Sequence, residues 1–292
     1  MIIALYGRLI HAADVGFIKQ LCDYLTEKKV EVWVHQPYLD ELRKNINCTT
    51  PYKTYLEHQD IAGKIDFIIS LGGDGTLLDT IALVRNSNIP VMGINAGRLG
   101  FLANVSKNEM TQAIDALLSG AYTLDKRALL QLDSNNGLFG ENNYALNEFT
   151  LHKKATSSMI VIHTYLNGEF LTSYWADGLI VSTPTGSTAY NLSCGGPIIV
   201  PSAENFAITP VAPHNLNIRP LIIPDNSILS FEIEGRSDAF LCTLDSRQET
   251  IDASVQMAIK KADFTLNLIR LHDSNFLETI RTKLNWGKDQ RN

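Results

Sequence analysis

The hydrophobic pattern of this chain changes period near Leu124, and that change constrains the fold more than any single residue does. Before it, short apolar runs alternate with helical stretches. They are Ile2 to Tyr6, a helix from about Val15 to Lys28, Val30 to Val34, Ile65 to Leu71, a helix over Leu77 to Asn86, and Pro90 to Ile94. Strands alternating with helices of that length read as βαβ units around a parallel sheet. A helix over Asn108 to Leu118, ending at Gly120, closes this half. Beyond Leu124 the period is two, in Ala145 to Leu151, Met159 to Leu166, Glu169 to Trp175, Leu179 to Thr183, Ile228 to Glu234, Ala239 to Leu244 and Phe264 to Leu271. Asn167-Gly168 between two of these runs is a type I′ hairpin signal. Short strands separated by turns predict a sandwich-like all-β domain. The expected organisation is an α/β domain with a parallel sheet over 1–123, a β-rich domain over 124–272, and a C-terminal segment, 273–292, that reads as a helix over Asn275 to Trp286 and packs back on the first domain. The polar stretch Asn45 to Gln59 reads either as a loop over a site or as a surface crossing.

With 292 residues, 45% of them hydrophobic, the chain can bury such cores without covalent staples. Cys22, Cys48, Cys194 and Cys242 lie far apart, with no CxxC pair and no histidine at zinc-ligand spacing. They read as free thiols of a reducing compartment, and no protein-held metal site is assigned. No apolar run approaches the ~18 residues needed to cross a bilayer, so a soluble, cytoplasmic protein with no membrane partner is expected. Lys and Arg number 25 against 31 Asp and Glu, a formal charge of -6. That balance repels a phosphate backbone and sets nucleic acid aside as a partner. A small anionic ligand remains open where local dipoles or a metal overcome the global field.

The sharpest local signal is Leu71-Gly72-Gly73-Asp74-Gly75-Thr76, where a buried strand ends and a helix begins. Ligands bind at that junction in open α/β sheets, and glycines let the backbone approach a phosphate closely. The loop is not GxxxxGK[ST], and it holds no lysine. Asp74 is out of place if anion binding is the only task, since a carboxylate and a phosphate ~4 Å apart repel by roughly 4 kcal/mol at an effective dielectric of 20. Either a cation intervenes or Asp74 does chemistry; otherwise it caps the following helix. A second glycine stretch, Gly93-Ile94-Asn95-Ala96-Gly97-Arg98-Leu99-Gly100-Phe101-Leu102, follows the next strand. A third, Asp177-Gly178-Leu179-Ile180-Val181-Ser182-Thr183-Pro184-Thr185-Gly186-Ser187-Thr188-Ala189-Tyr190, runs from a strand into a turn dense with hydroxyls.

In this order the three stretches resemble the NAD kinase family, and the similarity extends from about Ile65 to Trp286. GGDGT is shared with diacylglycerol and sphingosine kinases, whereas DGLIVSTPTGSTAY is far more selective. The resemblance implies an α/β nucleotide-binding domain followed by a β-rich NAD-binding and oligomerisation domain, with the C-terminal segment returning to the first. It implies transfer of the γ-phosphoryl of ATP, with Mg²⁺ as the divalent metal, to the 2′-hydroxyl of the adenosine ribose of NAD, and assembly as a homodimer or homotetramer.

Carried over residue by residue, the resemblance makes Asp74 the catalytic carboxylate and puts Gly75 close to NAD. It gives Asn147 and Glu148 the nicotinamide-side ribose or the adenine. Asp177 meets the nicotinamide end, and Thr185, Thr188, Ala189, Tyr190, Asn191 and Ser193 line the NAD pocket. Phe101 walls the adenine region or simply docks in the core. Trp175 stands where the family varies and leaves acceptance of NAD against NADH open. Ser158 and Ala212 lie near the ligand, and Arg247 either serves a phosphate or is a solvated surface arginine. Two other classes stay in view: a kinase of lipid-like alcohols, which GGDGT also suits, and an NAD-responsive binding protein that has lost turnover.

Overall fold

The computed structural model describes residues 1–97, 100–154, 158–236, 238–271 and 276–287. The chain divides into two compact units, Met1–Lys126 with the chain from Leu266 onward, and Arg127–Thr265.

In the first unit β1 (Ile2–Gly7), β2 (Glu31–His35), β3 (Lys53–Tyr55), β4 (Phe67–Leu71) and β5 (Val91–Asn95) form a parallel sheet in the order β5-β4-β1-β2-β3. Every residue of β4 and β5 is buried, the pattern of strands covered on both faces. Helix Val15–Glu27 buries Ile18, Leu21, Cys22 and Leu25, and helix Met110–Ser119 buries Met110, Ala113, Ile114 and Leu117. The three- and four-residue spacing makes one apolar stripe on each, and the stripes share a core with Ile3, Leu5, Ile69 and Met92. Gly120, at φ +75°, ends the second helix in the left-handed conformation that glycine adopts without strain.

Two expectations for this unit change. The helix read over Leu77 to Asn86 starts three residues earlier, as Asp74–Asp79, and resumes as Ile81–Val84. At the junction the Thr80 hydroxyl donates to the Leu77 carbonyl at 2.7 Å, a local bond that competes with regular helix. The polar stretch Asn45 to Gln59 is a mostly exposed surface segment but not all loop: it ends helix Gln36–Ile46 and supplies edge strand β3. Tyr55 is fully enclosed there and donates its hydroxyl to the Leu5 carbonyl at 3.0 Å. A short β6 (Val105–Ser106) pairs with β5, and β7 (Thr123–Ser134) carries the chain onward.

The second unit adds β8 (Tyr144–Ala145), β9 (Glu148–Lys153), β10 (Ile160–Leu166), β11 (Glu169–Ala176), β12 (Gly178–Ser182), β13 (Asn205–Val211), β14 (Leu221–Pro224), β15 (Leu229–Glu234), β16 (Phe240–Leu244), β17 (Arg247–Ile251) and β18 (Met257–Arg270). One antiparallel sheet runs β14-β13-β12-β9-β16-β17, and β11-β10-β15-β18 continue antiparallel in another. Phe149, Val181 and Phe206 from the first pack with Ile162, Phe231 and Ile259 from the second in one core, Phe149 and Phe231 with ring centroids 5.3 Å apart. This is the expected sandwich. Asn167 at φ +51° and Gly168 at φ +85° join β10 to β11, the two positive φ values of a type I′ turn. Leu268 of β18 pairs with Val91 in the first unit's sheet, and helix Phe276–Leu284 follows there. Asn275, read as the start of that helix, and residues 288–292 lie outside the described residues.

All four thiols are free. Burial pushes Cys22 up to about 11 and Cys242 up to about 12, which makes both inert. No described helix is long and apolar enough to cross a membrane.

Candidate active site

At the carboxyl ends of β1, β4 and β5 the first unit holds a cavity of about 430 Å³, walled by Arg8, Tyr38, Gly72, Gly73, Thr76 and Asn95 among others. This is where open α/β sheets take ligands. Gly72, at the start of the turn that lines it, has no room for a side chain: a Cβ there would lie 2.4 Å from the Thr76 hydroxyl oxygen.

Asp74 opens helix Asp74–Asp79, yet its carboxylate does not cap that helix; Gly73 is the cap residue and makes no side-chain bond. Instead Asp74 Oδ2 accepts the Phe101 N–H at 2.8 Å, and Oδ1 accepts those of Leu102 and Ala103 at 3.1 and 2.9 Å. The carboxylate therefore ties the first glycine stretch to the second. Gly100 is glycine for a visible reason, because a Cβ there would lie 1.8 Å from Asp74 Oδ1. Gly75 accepts a 3.3 Å bond from Arg8 Nη2 on its carbonyl. Phe101 is half-buried, its ring 6.5 Å from that of Phe276 with the Lys283 ammonium 5.2 Å from its centroid. Arg98 and Leu99 of this stretch lie outside the described residues.

In the second unit a different carboxylate organises the candidate residues. Asp245 accepts the N–H groups of Leu146, Asn147 and Glu148 at 2.9, 2.7 and 3.1 Å and donates its own N–H to the Glu148 carbonyl at 2.9 Å. Sequence reasoning passed over it as the residue before Ser246. The available signal was an acidic residue in the tight turn between two alternating runs. Arg247 is not the solvated surface arginine of one reading: its guanidinium donates to the Asn142 and Tyr144 carbonyls beside the Phe139 ring, so it braces a loop.

Glu148 is 8% exposed, and its Oε2 is buried with no partner among the described residues. Burial, then the neighbouring Asp245 charge, push it up to about 8, against a hydrogen bond from the Tyr190 backbone. A buried acceptor left open in this way is chemically prepared for a hydroxyl or amine donor.

The hydroxyl-rich turn packs directly on these residues. Thr183 donates its N–H to the Asn147 carbonyl at 2.9 Å, and a Cβ on Gly186 would lie 2.0 Å from that carbonyl oxygen. Thr185 is buried and accepts from Arg127 Nη1 at 3.0 Å; Thr188 reaches back to the Thr185 carbonyl at 3.4 Å. Tyr190 is exposed and stacked on His152 at 5.6 Å, with half-buried Ala189 before it and exposed Ser193 after it. Asn191, expected to line the pocket, is fully buried. Its amide donates to the Ser187 and Pro197 carbonyls at 3.0 Å each and its oxygen accepts from Thr209 at 2.6 Å, so it holds the turn together.

The β9/β12 ladder separates the remaining candidates. Glu148 pairs with Ser182 at one end, and Asp177 precedes the other, where its carboxylate meets Lys153 Nζ at 2.6 Å. Ala212, exposed at φ +45°, follows the Val211 carbonyl that Asp177 bonds. Trp175 is 55% exposed, its carbonyl accepting the His214 N–H at 2.8 Å. Ser158 is half-buried.

Residues 4–122 match the ATP-NAD kinase N-terminal domain and residues 146–271 the ATP-NAD kinase C-terminal domain. The chain is 48% identical to the NAD kinase of Cytophaga hutchinsonii and 44% identical to that of Flavobacterium psychrophilum, in each case over the full length of both chains. The chain belongs to the NAD kinase family. Its fold is that of solved NAD and NADH kinases. It matches the yeast NADH kinase complexed with NADH at a TM-score of 0.88, 23% identity, and 99% and 89% of the two chains. It matches the NAD kinase from Archaeoglobus fulgidus in complex with ATP at 0.76, with 22% identity and 98% and 99% coverage. In this NAD kinase family member, no group of three or more His, Cys, Asp or Glu stands at metal-holding distance among the described residues.

Proposed function

We propose that the chain transfers the γ-phosphoryl of ATP to the 2′-hydroxyl of the adenosine ribose of NAD, giving NADP. The observation that carries this is membership of the family along the whole chain, joined to a carboxylate that three amides fix at a glycine turn beside a strand-end cavity. By this reading Asp74 orients the acceptor hydroxyl and takes its proton late. The loose phosphoryl-transfer transition state asks more of positioning than of basicity. Gly75 lets the backbone come close to the substrate. Glu148 meets the sugar hydroxyls through the oxygen that has no partner among the described residues, where a bound hydroxyl supplies the hydrogen bond that the folded chain leaves unmade. Asn147, Thr185, Thr188, Ala189, Tyr190, Ser193 and Asp177 shape the rest of the acceptor's surroundings, and Asn191 acts through the turn.

Mg²⁺ arrives with ATP in this proposal and neutralises charge on the phosphate oxygens. Without a protein cage among the described residues, the fit is to the usual magnesium pattern of substrate phosphates, waters and one or two carboxylates. Asp74 is the carboxylate at the turn that suits it. Assembly as a homodimer or homotetramer is part of the reading, supported by apolar side chains left exposed on the second unit, among them Phe170, Leu216 and Ile222. A cytoplasmic location belongs to it as well.

The test is incubation of purified protein with ATP, Mg²⁺ and NAD, reading NADP with an NADP-specific coupling enzyme, with NADH in a parallel lane. NADP is expected from NAD, and the NADH lane reports whether Trp175 restricts the acceptor. A folded protein that makes no NADP from ATP or polyphosphate refutes the reading.

A further inference from the structure

A phosphate chain in the strand-end cavity needs a counter-charge, and the glycine turn supplies none, since it holds no lysine. Among the described residues that line the cavity, Arg8 alone carries a fixed positive charge. It leaves the end of β1 with an exposed side chain whose fork is already locked: Nε and Nη2 grip the two Asp79 oxygens at 2.6 Å each, and Nη2 also donates to the Gly75 carbonyl at 3.3 Å. Asp79 is fixed in turn by the Tyr6 hydroxyl at 3.0 Å. The bonds to Asp79 and Gly75 use Nε and Nη2 and leave Nη1 out of the grip. A guanidinium whose rotamer is set before the ligand arrives loses little entropy on binding phosphate.

A second observation points to the same place. Tyr38 lines this cavity, is 1% exposed, and its hydroxyl is buried with no partner among the described residues. The ring is pressed against β1, where a Cβ on Gly7 would lie 2.4 Å from it. An unpaired buried hydroxyl costs stability unless something satisfies it.

We propose that Arg8, through Nη1, and Tyr38, through its hydroxyl, bind the phosphate chain of the phosphoryl donor. This rests on the kinase reading of the site above and names the residues that receive the donor there. Two measurements test it together, the KM for ATP and the calorimetric Kd for inorganic tripolyphosphate with Mg²⁺. Arg8→Gln should weaken both about tenfold to a hundredfold, the range for a charge-assisted hydrogen bond, while the Kd for NAD moves less than about twofold. Arg8→Lys should recover part of the loss. Asp79→Asn, which loosens the fork but keeps the cation, should lose less than Arg8→Gln. Tyr38→Phe should raise the KM for ATP several-fold with a Tm at or above that of the wild type.

Unchanged ATP and tripolyphosphate constants in Arg8→Gln overturn the proposal. So does an Asp79→Asn loss equal to that of Arg8→Gln with no rescue by lysine, because Arg8 would then be only a strut for the turn. An unmoved KM in a stabilised Tyr38→Phe removes Tyr38 from it. If the wild type makes no NADP, the kinase reading falls while calorimetry still decides Arg8: tripolyphosphate binding lost in Arg8→Gln upholds its role, and binding retained refutes it.

Discussion

Asp74 in the first unit and Asp245 in the second each accept three consecutive backbone N–H groups, from Phe101 to Ala103 and from Leu146 to Glu148. Each carboxylate clamps a loop that is distant in sequence, and the surroundings separate the two. Asp74 stands among Gly73, Gly75 and Gly100, and its hydrogen bonds among the described residues all come from backbone N–H groups. Asp245 sits at φ +53° in the turn between β16 and β17, beside Arg247 and facing a second carboxylate, Glu148. In the proposed function one clamp presents its own carboxylate to the substrate, while the other presents the residues it holds. The comparison teaches that amide ligation alone does not assign a carboxylate its role, since the same three-amide clamp occurs in two different surroundings.

The comparison breaks most visibly at Asp74. Asp74→Asn should lower kcat by about 10²- to 10⁴-fold, the usual contribution of a positioned acid or base, while calorimetry finds NAD bound within a few-fold of wild type. Near-normal turnover would remove Asp74 from the mechanism. Gly100→Ala reaches the same carboxylate without altering it, since the new methyl must displace Oδ1. A kcat loss of roughly 10- to 100-fold with an unchanged fold by circular dichroism is expected, because misplacement on the ångström scale costs that much. Wild-type kcat in this variant would show that the position of Asp74 is not critical.

How legible these features were in the sequence follows from how locally they are encoded. β4 and its glycine turn are one contiguous run, so both the strand end and Asp74 could be named from it. The bonds Asp74 makes could not, because they join residues 27 to 29 positions apart. Asp245 acts across 97 to 99 positions and had no motif of its own. β13 escaped because five consecutive buried residues show no alternation, and the opening of β18 escaped because Lys260 and Lys261 break the apolar pattern there while pairing with Asp133 and Asp225. Arg8 belongs to no sequence motif; its bonds to Asp79 reach from the end of β1 to the helix after the glycine turn. The loop-bracing contacts of Arg247 were not legible because carbonyl acceptors leave no trace in sequence.

The second clamp should fail differently. Asp245→Asn sets an amide NH₂ against backbone donors, and the unpaired groups should cost about 1–3 kcal/mol, read as a lower denaturant midpoint. The KM for NAD should rise as Asn147 and Glu148 loosen, while kcat changes less than in Gly100→Ala. A kcat loss equal to that of Asp74→Asn would erase the distinction between the two carboxylates.

The smallest effect sharpens the comparison furthest. Glu148 is raised from 4.5 to about 8, so the folded ligand-free protein holds a proton there that the unfolded chain releases. The folded state therefore binds more protons than the unfolded state between about pH 4.5 and pH 8, and stability falls as pH rises through that window. Glu148→Gln keeps the shape without the ionisation. Its Tm should decline less steeply than that of wild type between pH 6 and pH 9, and its KM for NAD should rise several-fold as an amide NH₂ takes the place of one carboxyl oxygen facing the sugar hydroxyls. Parallel Tm profiles with an unchanged KM would mean that Glu148 neither titrates nor meets the acceptor. Asp245 would then be holding a merely structural strand.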